Sequence, residues 1–431
     1  MSTEVTSGYK VTEVGVIPKD WEVVTLGDVI DYTKGFPFRS ADYTTGGVRI
    51  IRVSDTTHDS ISESAPIFIS PITSEAYSKW SLNEFDIIVS TVGSKPPMYD
   101  SMVGKAILVE KKFAGALLNQ NAVIIRNKKN EKSIQVLVAS HLRTKRYFSF
   151  VEGIFRGNAN QASITLKDLF EFVVPMPVNH DERQAIAAAL FDMDALISGL
   201  DQLIAKKRDI KQAAMQQLFT AQQRVSGFSG EWEVKPMRAL GCTYGGLAGK
   251  TKSNFGHGDA RYIPFMNVMT DTVIDPSWLE PVDVAPDEVQ NLAKKGDLFF
   301  NGSSETPEEV GFCSVLLEDI PNLYLNSFCF GFRFKSSAKV NGLFFAYWFR
   351  SKPGRTAMSV LAQGATRYNI AKSAFMQLEI PQPSEEEQTA IASILSDMDG
   401  ELATLKARCD KARQIKLGMM QELLTGRIRL K

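Results

Sequence analysis

One stretch of about forty residues occurs twice in this chain, and that duplication limits what it can fold into. Near residue 185 it reads DERQAIAAALFDMDALI, and near residue 390 it reads EEQTAIASILSDMDGEL. At a constant offset of 205, Ala185, Ile186 and Ala187 match Ala390, Ile391 and Ala392. Leu190 matches Leu395, and Asp192, Met193 and Asp194 match Asp397, Met398 and Asp399. Lys206, Arg208, Ile210 and Lys211 match Lys411, Arg413, Ile415 and Lys416, and Met215, Gln216, Leu218 and Thr220 match Met420, Gln421, Leu423 and Thr425. This spacing is too long for a solenoid repeat, so each copy should be a whole domain with a connecting element. The 431 residues leave room for two or three such bodies, each with its own core.

Fainter echoes lie upstream. Asp20-Trp21-Glu22-Val23 returns as Glu231-Trp232-Glu233-Val234, and Arg49-Ile50-Ile51 as Arg261-Tyr262-Ile263. Glu84–Val89 returns as Lys295–Phe300, and Ser163–Pro177 as Asn369–Pro383. The order is therefore variable part, near-identical part, variable part, near-identical part. The variable parts read as mixed α/β rich in strand. Asp86–Val92, Ala122–Ile125, Asp297–Asn301 and Phe328–Phe334 are short apolar runs bounded by Gly, Asn, Ser and Pro.

The near-identical parts read as helix. Ile186, Leu190, Met193, Ile197, Leu200, Ile204, Ile210, Ala214 and Leu218 recur at three- and four-residue spacing. Ile391, Leu395, Met398, Leu402, Leu405, Cys409, Ile415, Met419 and Leu423 hold nearly the same register. Pro175, Pro177, Pro381 and Pro383 are expected to stop each preceding strand. A helix from about Asp181 to Ala221 would be roughly 60 Å long at about 1.5 Å per residue. Its apolar stripe needs a partner, and the other copy offers one. The first helix leaves domain one and reaches domain two, so the second must run back to cover it. The expected fold class is α+β: two mixed α/β domains joined by two long antiparallel helices, related by a pseudo-two-fold axis. The alternative, two ordinary core helices within one compact domain, leaves the length and the duplication unexplained.

Charge says little about a partner. Lys and Arg balance Asp and Glu at 49 each, and residues 1–225 carry 26 basic against 25 acidic side chains. Only locally does the balance tip: Arg126, Lys128, Lys129, Lys132, Arg143, Lys145 and Arg146 face a single acid, Glu131. They form either a phosphate-facing patch or a solvated loop and helix face. Cys242, Cys313, Cys329 and Cys409 form no CxxC pair, and with His58, His141, His180 and His257 they fit no zinc spacing. The start MSTEVTSGYK carries no apolar signal core and no run is long enough to span a membrane, so a cytoplasmic chain with no membrane partner is expected.

Motifs that suggest catalysis break down on inspection. Gly245-Gly246-Leu247-Ala248-Gly249-Lys250-Thr251 resembles a P-loop, but Tyr244 stands where the first glycine belongs. Lys95-Pro96-Pro97-Met98-Tyr99 resembles the Asp-Pro-Pro-Tyr motif of adenine methyltransferases. In that motif the polar first residue accepts a hydrogen bond from the target amine, which a lysine cannot do, and a methionine stacks poorly on a base. Polar loops at equivalent places are more informative. Ser90–Lys95 matches Asn301–Ser304, and Arg156–Gln161 matches Gln363–Tyr368. Asn, Gln, Arg and Ser on loops read base edges and phosphates, although Gly, Asn and Ser also simply make turns.

The Pro-x-Pro followed by a helix opening Glu-Arg-Gln-Ala-Ile-Ala or Glu-Gln-Thr-Ala-Ile-Ala resembles the DNA specificity subunit of type I restriction-modification enzymes. Leu218–Ala221 and Leu423–Leu430 are similar to that family's helix ends, and Trp21, Trp232, Gly157 and Gly364 fit its pattern. The resemblance runs from about Gly15 to Leu430. It departs at Ala221, where the family has a glycine. It implies target recognition domains at residues 1–178 and 226–383, with conserved helices at 179–225 and 384–431. Each domain would bind one half of a bipartite site on double-stranded DNA. The helices would set the separation and dock two methyltransferase subunits, and motor-nuclease subunits would join the full complex. The chain itself is expected to be non-catalytic and without a cofactor; S-adenosylmethionine, ATP and Mg²⁺ would belong to the partners. The residues expected to touch bases or phosphates are Ser94, Lys95, Arg156, Asn158, Asn160 and Gln161 in the first domain. In the second they are Asn301, Ser303, Gln363, Thr366, Arg367 and Tyr368, with Arg52 and Asn267 as weaker candidates. The reading from another class is a protein-interaction scaffold: two ligand-binding domains on an antiparallel coiled coil, without DNA.

Overall fold

The computed structural model describes residues 7–57, 59–95, 98, 101–158 and 161–430. The chain forms two compact units, residues 1–200 with 408–431, and residues 201–407.

Unit 1 is built on a four-stranded antiparallel sheet in the order Ala106–Leu108, Ile87–Ser90, Ala122–Asn127, Ile30–Lys34. Period-2 alternation explains why its inner strands are apolar without a break. Ile87, Val89, Val123 and Ile125 point into one cluster with Trp21, Tyr147 and Phe172, while Ile88 and Ile124 point into another with Ile51 and Leu118. A register slip of one residue would exchange the two cores. Unit 2 repeats the plan: Cys313–Val315, Leu298–Asn301, Cys329–Phe334, Gly241–Gly245. Leu298 and Phe300 enter a core rich in phenylalanine, with Phe330, Phe332, Phe344 and Phe375, and Phe299 enters the opposite one.

The strand after each echoed tryptophan pairs with the strand before the long helix. Trp21–Thr25 lies antiparallel to Val173–Pro177, and Glu233–Pro236 to Glu379–Gln382. Pro175 and Pro381 therefore sit inside strands instead of stopping them. Two-stranded ladders tolerate proline because one side of each strand needs no donor.

Both repeated segments are single helices, His180–Phe219 and Glu385–Leu423. The Asn179 side chain accepts from the backbone N–H groups of Asp181 and Glu182, and Ser384 accepts from Glu387. Acids fill both first turns, where the helix dipole favours them.

Each unit holds one half of each helix, and within each unit the halves run antiparallel. In unit 1 Ile186 and Leu190 share a core with Met420 and Leu423; in unit 2 Leu218 and Phe219 share one with Ile391 and Leu395. Asp194 takes Lys416 in unit 1, and Asp399 takes Lys211 at 2.5 Å in unit 2. Each copy's aspartate thus meets the other copy's lysine. Arg143 also reaches Asp194 at 3.7 Å, and Tyr347 donates to Asp399 at 2.7 Å. Burial outweighs the attraction of Asp194 and holds the Lys416 ammonium below its usual pKa. The apolar stripe fails at the neighbouring position in both copies: Ile210 and Ile415 are 43% and 45% exposed.

A second duplicated knot ties the helix tails. In unit 1 Glu182 accepts from Trp21 Nε1 at 3.2 Å and from Arg429 Nη2 at 2.7 Å. In unit 2 Glu387 accepts from Trp232 Nε1 at 3.1 Å and from Arg224 Nε and Nη2 at 2.6 Å each. Both glutamates are buried, so each needs its cation.

The first helix ends at Phe219, and Ala221 takes a left-handed φ of +54°; its counterpart Gly426 has φ +69°. Ala221→Gly should stabilise the protein by a few tenths to about 1 kcal/mol, because an L side chain there costs roughly 1–2 kcal/mol, partly offset by glycine's chain entropy. Gly426→Ala should cost more, since its Cβ would lie 2.5 Å from Pro18. Urea denaturation checks both signs. The same measurement tests the helix seam. Lys416→Met or Asp194→Leu alone should cost about 1–2 kcal/mol, a figure that allows for partial exposure of Asp194. Both together should cost less than the sum of the two; simple additivity would show that the pair is uncoupled.

Candidate nucleic-acid interface

The polar loops singled out in the sequence come together, in each unit, on one small sheet. In unit 1 Val92–Gly93 continues from the central strand and pairs with the hairpin Arg156–Asn158/Gln161–Ser163. In unit 2 Ser303–Ser304 pairs with Tyr368–Ile370, which pairs with Ala362–Gln363. The same bond anchors both sheets to the core: Ile164 N–H to Thr91 C=O, and Ile370 N–H to Gly302 C=O, 3.1 Å each. Both hairpins require glycine. Gly157 and Gly364 have φ of +105° and +137°, and a Cβ would fall 2.4 Å from the Gln161 carbonyl oxygen and 2.1 Å from that of Arg367.

Several of the polar side chains on these sheets are exposed. Arg156 is 69% exposed and pairs with Asp168 at 2.9 Å. Lys95 and Gln161 are exposed, and Ser94 is half-buried and accepts from the Ser101 hydroxyl. Asn158 lies in the strand with only its backbone described, and Asn160 falls outside the described residues. In unit 2 Gln363, Thr366 and Arg367 are exposed and Tyr368 is half-buried. The Arg367 guanidinium stands 6.0 Å from the centre of the Phe328 ring.

Four of the expected contacts are placed otherwise. Asn301 is fully buried; its amide donates to the Ser303 and Glu309 carbonyls and accepts from Phe312 N–H. It braces the loop that carries Ser303, whose own side chain is buried and whose backbone is in the sheet. Asn267 is buried as well and braces Asp275 through both amide atoms. Arg52 is engaged with Asp55 and the Ala65 carbonyl, and the Asp55 carboxylate raises its pKa. A polar side chain at a strand end can serve either fold or ligand, and residue type alone does not separate the two.

Part of the basic run is engaged within the fold. Arg126 forks onto Asp86, Lys128 donates to the Gly27 and Asp28 carbonyls, and Arg146 lies over Phe172 and donates to Val173. Lys132 lies over Phe85 and Phe191. Lys128, Lys129, Lys132 and Lys145 nevertheless stay exposed, so the fold takes up only part of the run. In the P-loop-like segment Lys250 is paired with Glu288 at 2.5 Å. Of Lys95–Tyr99, residues 96, 97 and 99 are outside the described residues. Among the described residues no cluster of His, Cys, Asp and Glu could hold a metal ion, and no helix is long and apolar enough to cross a membrane.

Sequence reasoning missed the Trp–Glu–Arg knots, although Arg224 and Arg429 stand at the repeat's own offset of 205. It also missed the position held by Asn121 in one unit and Phe328 in the other. There the Asn121 carbonyl accepts from Thr91 N–H and the Phe328 carbonyl from Gly302 N–H, at 2.8 and 2.9 Å.

The profile of the family described as the type I restriction modification DNA specificity domain matches residues 18–208 and 292–412. The type I restriction enzyme MjaVIII specificity subunit of Methanocaldococcus jannaschii is 25% identical, over 96% of this chain and 94% of its own. The same organism's MjaX specificity subunit, provisionally so named, is 24% identical over 98% and 97%. Among solved structures, the S subunit of a type I restriction-modification system from M. genitalium has the same fold, with a TM-score of 0.60, 15% identity and coverage of 96% of this chain and 97% of that one. With two sheet-based units, a duplicated helix and a family match over most of its length, the chain belongs to the DNA specificity subunits of type I restriction-modification systems, the non-catalytic part of those assemblies.

Proposed function

We propose that each unit reads one half of a bipartite, non-palindromic DNA site, and that the paired helices set the distance between the halves. The observation that carries this reading is the duplicated hairpin sheet: one backbone plan, two unlike sets of exposed side chains. Unit 1 offers Lys95, Arg156 and Gln161 where unit 2 offers Gln363, Thr366 and Arg367. Residues 1–178 and 226–383 are the proposed recognition domains, and 179–225 and 384–431 the spacers. Arginine and glutamine on a rigid hairpin can make bidentate contacts with base edges. Each reader alone makes few contacts, and a stiff connection multiplies them through effective concentration. The balanced charge suits a subunit that shares phosphate contacts with its partners, so the lone chain should bind DNA weakly and with strong salt dependence.

Two methyltransferase subunits are the proposed partners on the helices, joined by motor-nuclease subunits in the full complex. S-adenosylmethionine, ATP and Mg²⁺ belong to them, and the assembly acts in the cytoplasm. Drift between the two copies supports this. Exposed helix positions are free to diverge, yet Asp192/Asp397, Lys206/Lys411, Arg208/Arg413 and Ile210/Ile415 are identical and outward-facing in both. Two copies of one partner would hold both faces to one sequence.

Arg367→Ala should relax one position in one half-site and cost about 1–3 kcal/mol of binding, and Arg156→Ala should do the same in the other half. Sequencing the sites methylated by the reconstituted complex reads this out; an unchanged pattern in both variants would remove the hairpins from the reading surface. Ile210→Asp with Ile415→Asp should weaken methyltransferase association at least tenfold without lowering the melting temperature. Unchanged association by calorimetry would move the partner elsewhere.

A further inference from the structure

We infer that Phe328 is a specificity-determining residue of unit 2, which packs its ring against the C5 methyl group of a thymine in the major groove. The inference rests on the reading function proposed above. Single exposed apolar side chains are common and mean little alone. Here the position carries the meaning. Phe328 is 59% exposed on a turn held rigidly from four sides. Asn326 N–H donates to the Ile263 carbonyl at 3.1 Å, and Cys329 N–H donates to the Asn326 carbonyl at 3.1 Å. Phe328 N–H donates to Asn326 Oδ1 at 2.8 Å, and its carbonyl accepts from Gly302 N–H at 2.9 Å. Gly302 in turn anchors the hairpin sheet through Ile370. The ring therefore stands at a fixed place beside the reading hairpin, with the Arg367 guanidinium 6.0 Å from its centre.

The equivalent place in unit 1 holds Asn121, exposed and fixed by the matching bond from Thr91 N–H. One scaffold position thus presents an amide in one unit and a bare aromatic ring in the other. An amide hydrogen-bonds a base edge; a phenylalanine ring carries no N–H or O–H donor and no oxygen or nitrogen acceptor, and the apolar feature a base edge presents in the major groove is the thymine methyl. Nearby Arg367 supplies the polar contact, to guanine or phosphate, that a ring lacks.

The test uses the complex assembled with its methyltransferase. Its methylated site is sequenced first, and Arg367→Ala identifies the half read by unit 2. Duplexes are then made with each thymine of that half replaced in turn by deoxyuridine, which lacks only the methyl group. One replacement should weaken wild-type binding about fourfold, the worth of roughly one buried methyl. Phe328→Ala and Phe328→Asn should bind the thymine and uracil duplexes equally, with unchanged melting temperatures. The deoxyuridine result in the wild type needs no variant to fold. A half-site without thymine, a wild type indifferent to every replacement, or a Phe328→Ala variant as sensitive as the wild type would each overturn the inference while leaving the bipartite reading in place. A wild type with no bipartite preference would remove that reading and the inference with it.

Discussion

The aspartate–lysine exchange between the two sequence copies is the constraint on which the rest depends. Asp194 needs Lys416, and Asp399 needs Lys211. Neither copy can satisfy its own pair along its own helix, because the aspartate and lysine of one copy lie 17 positions apart. Both pairs close only when the halves run antiparallel in one register, and they close in both units. Burying part of a lysine without its carboxylate is costly, so the pairs exclude other registers more than they add net stability. The Trp–Glu–Arg knots then tie each helix tail to the start of the other helix within a unit.

That arrangement separates what must stay constant from what must vary. The duplicated residues are the seam, the knots, the glycines of the hairpins and a set of outward helix positions. The side chains on the hairpin sheets differ almost completely. A subunit that presents two unlike surfaces to DNA and two like surfaces to its partners would be under this pattern of constraint. Charge neutrality fits as well, since most arginines in the two cores are bound to carbonyls and carboxylates, as with Arg126, Arg333, Arg350 and Arg355.

Much of the fold was legible because the duplication checks itself. The central strands were readable as unbroken apolar runs and both helices as periodic stripes; the first, expected over about 181–221, lies within two residues of the observed limits, whereas the second segment, taken as 384–431, is helical only to Leu423. Ile210 and Ile415 broke that reading because a lysine takes the seam beside each of them, and periodicity cannot see a charge pair across helices. The loops that form the hairpin sheets stood out because they occupy equivalent places in the two halves, although their pairing into a sheet was not legible. Asn301, Asn267 and Arg52 were misplaced because a buried amide or guanidinium bracing a loop has the same letters as one facing DNA. Phe328 was hidden for the opposite reason: beside Cys329–Phe334 it reads as the first residue of a strand, and only the fold turns it outward.

We propose that the paired helices hold two unlike readers one set distance apart. The most direct measurement is single-molecule sequencing of methylation laid down by the reconstituted complex on random DNA. The account predicts two unlike short words separated by one constant number of unspecified base pairs. One continuous word, two identical inverted words, or a gap of variable length would contradict it.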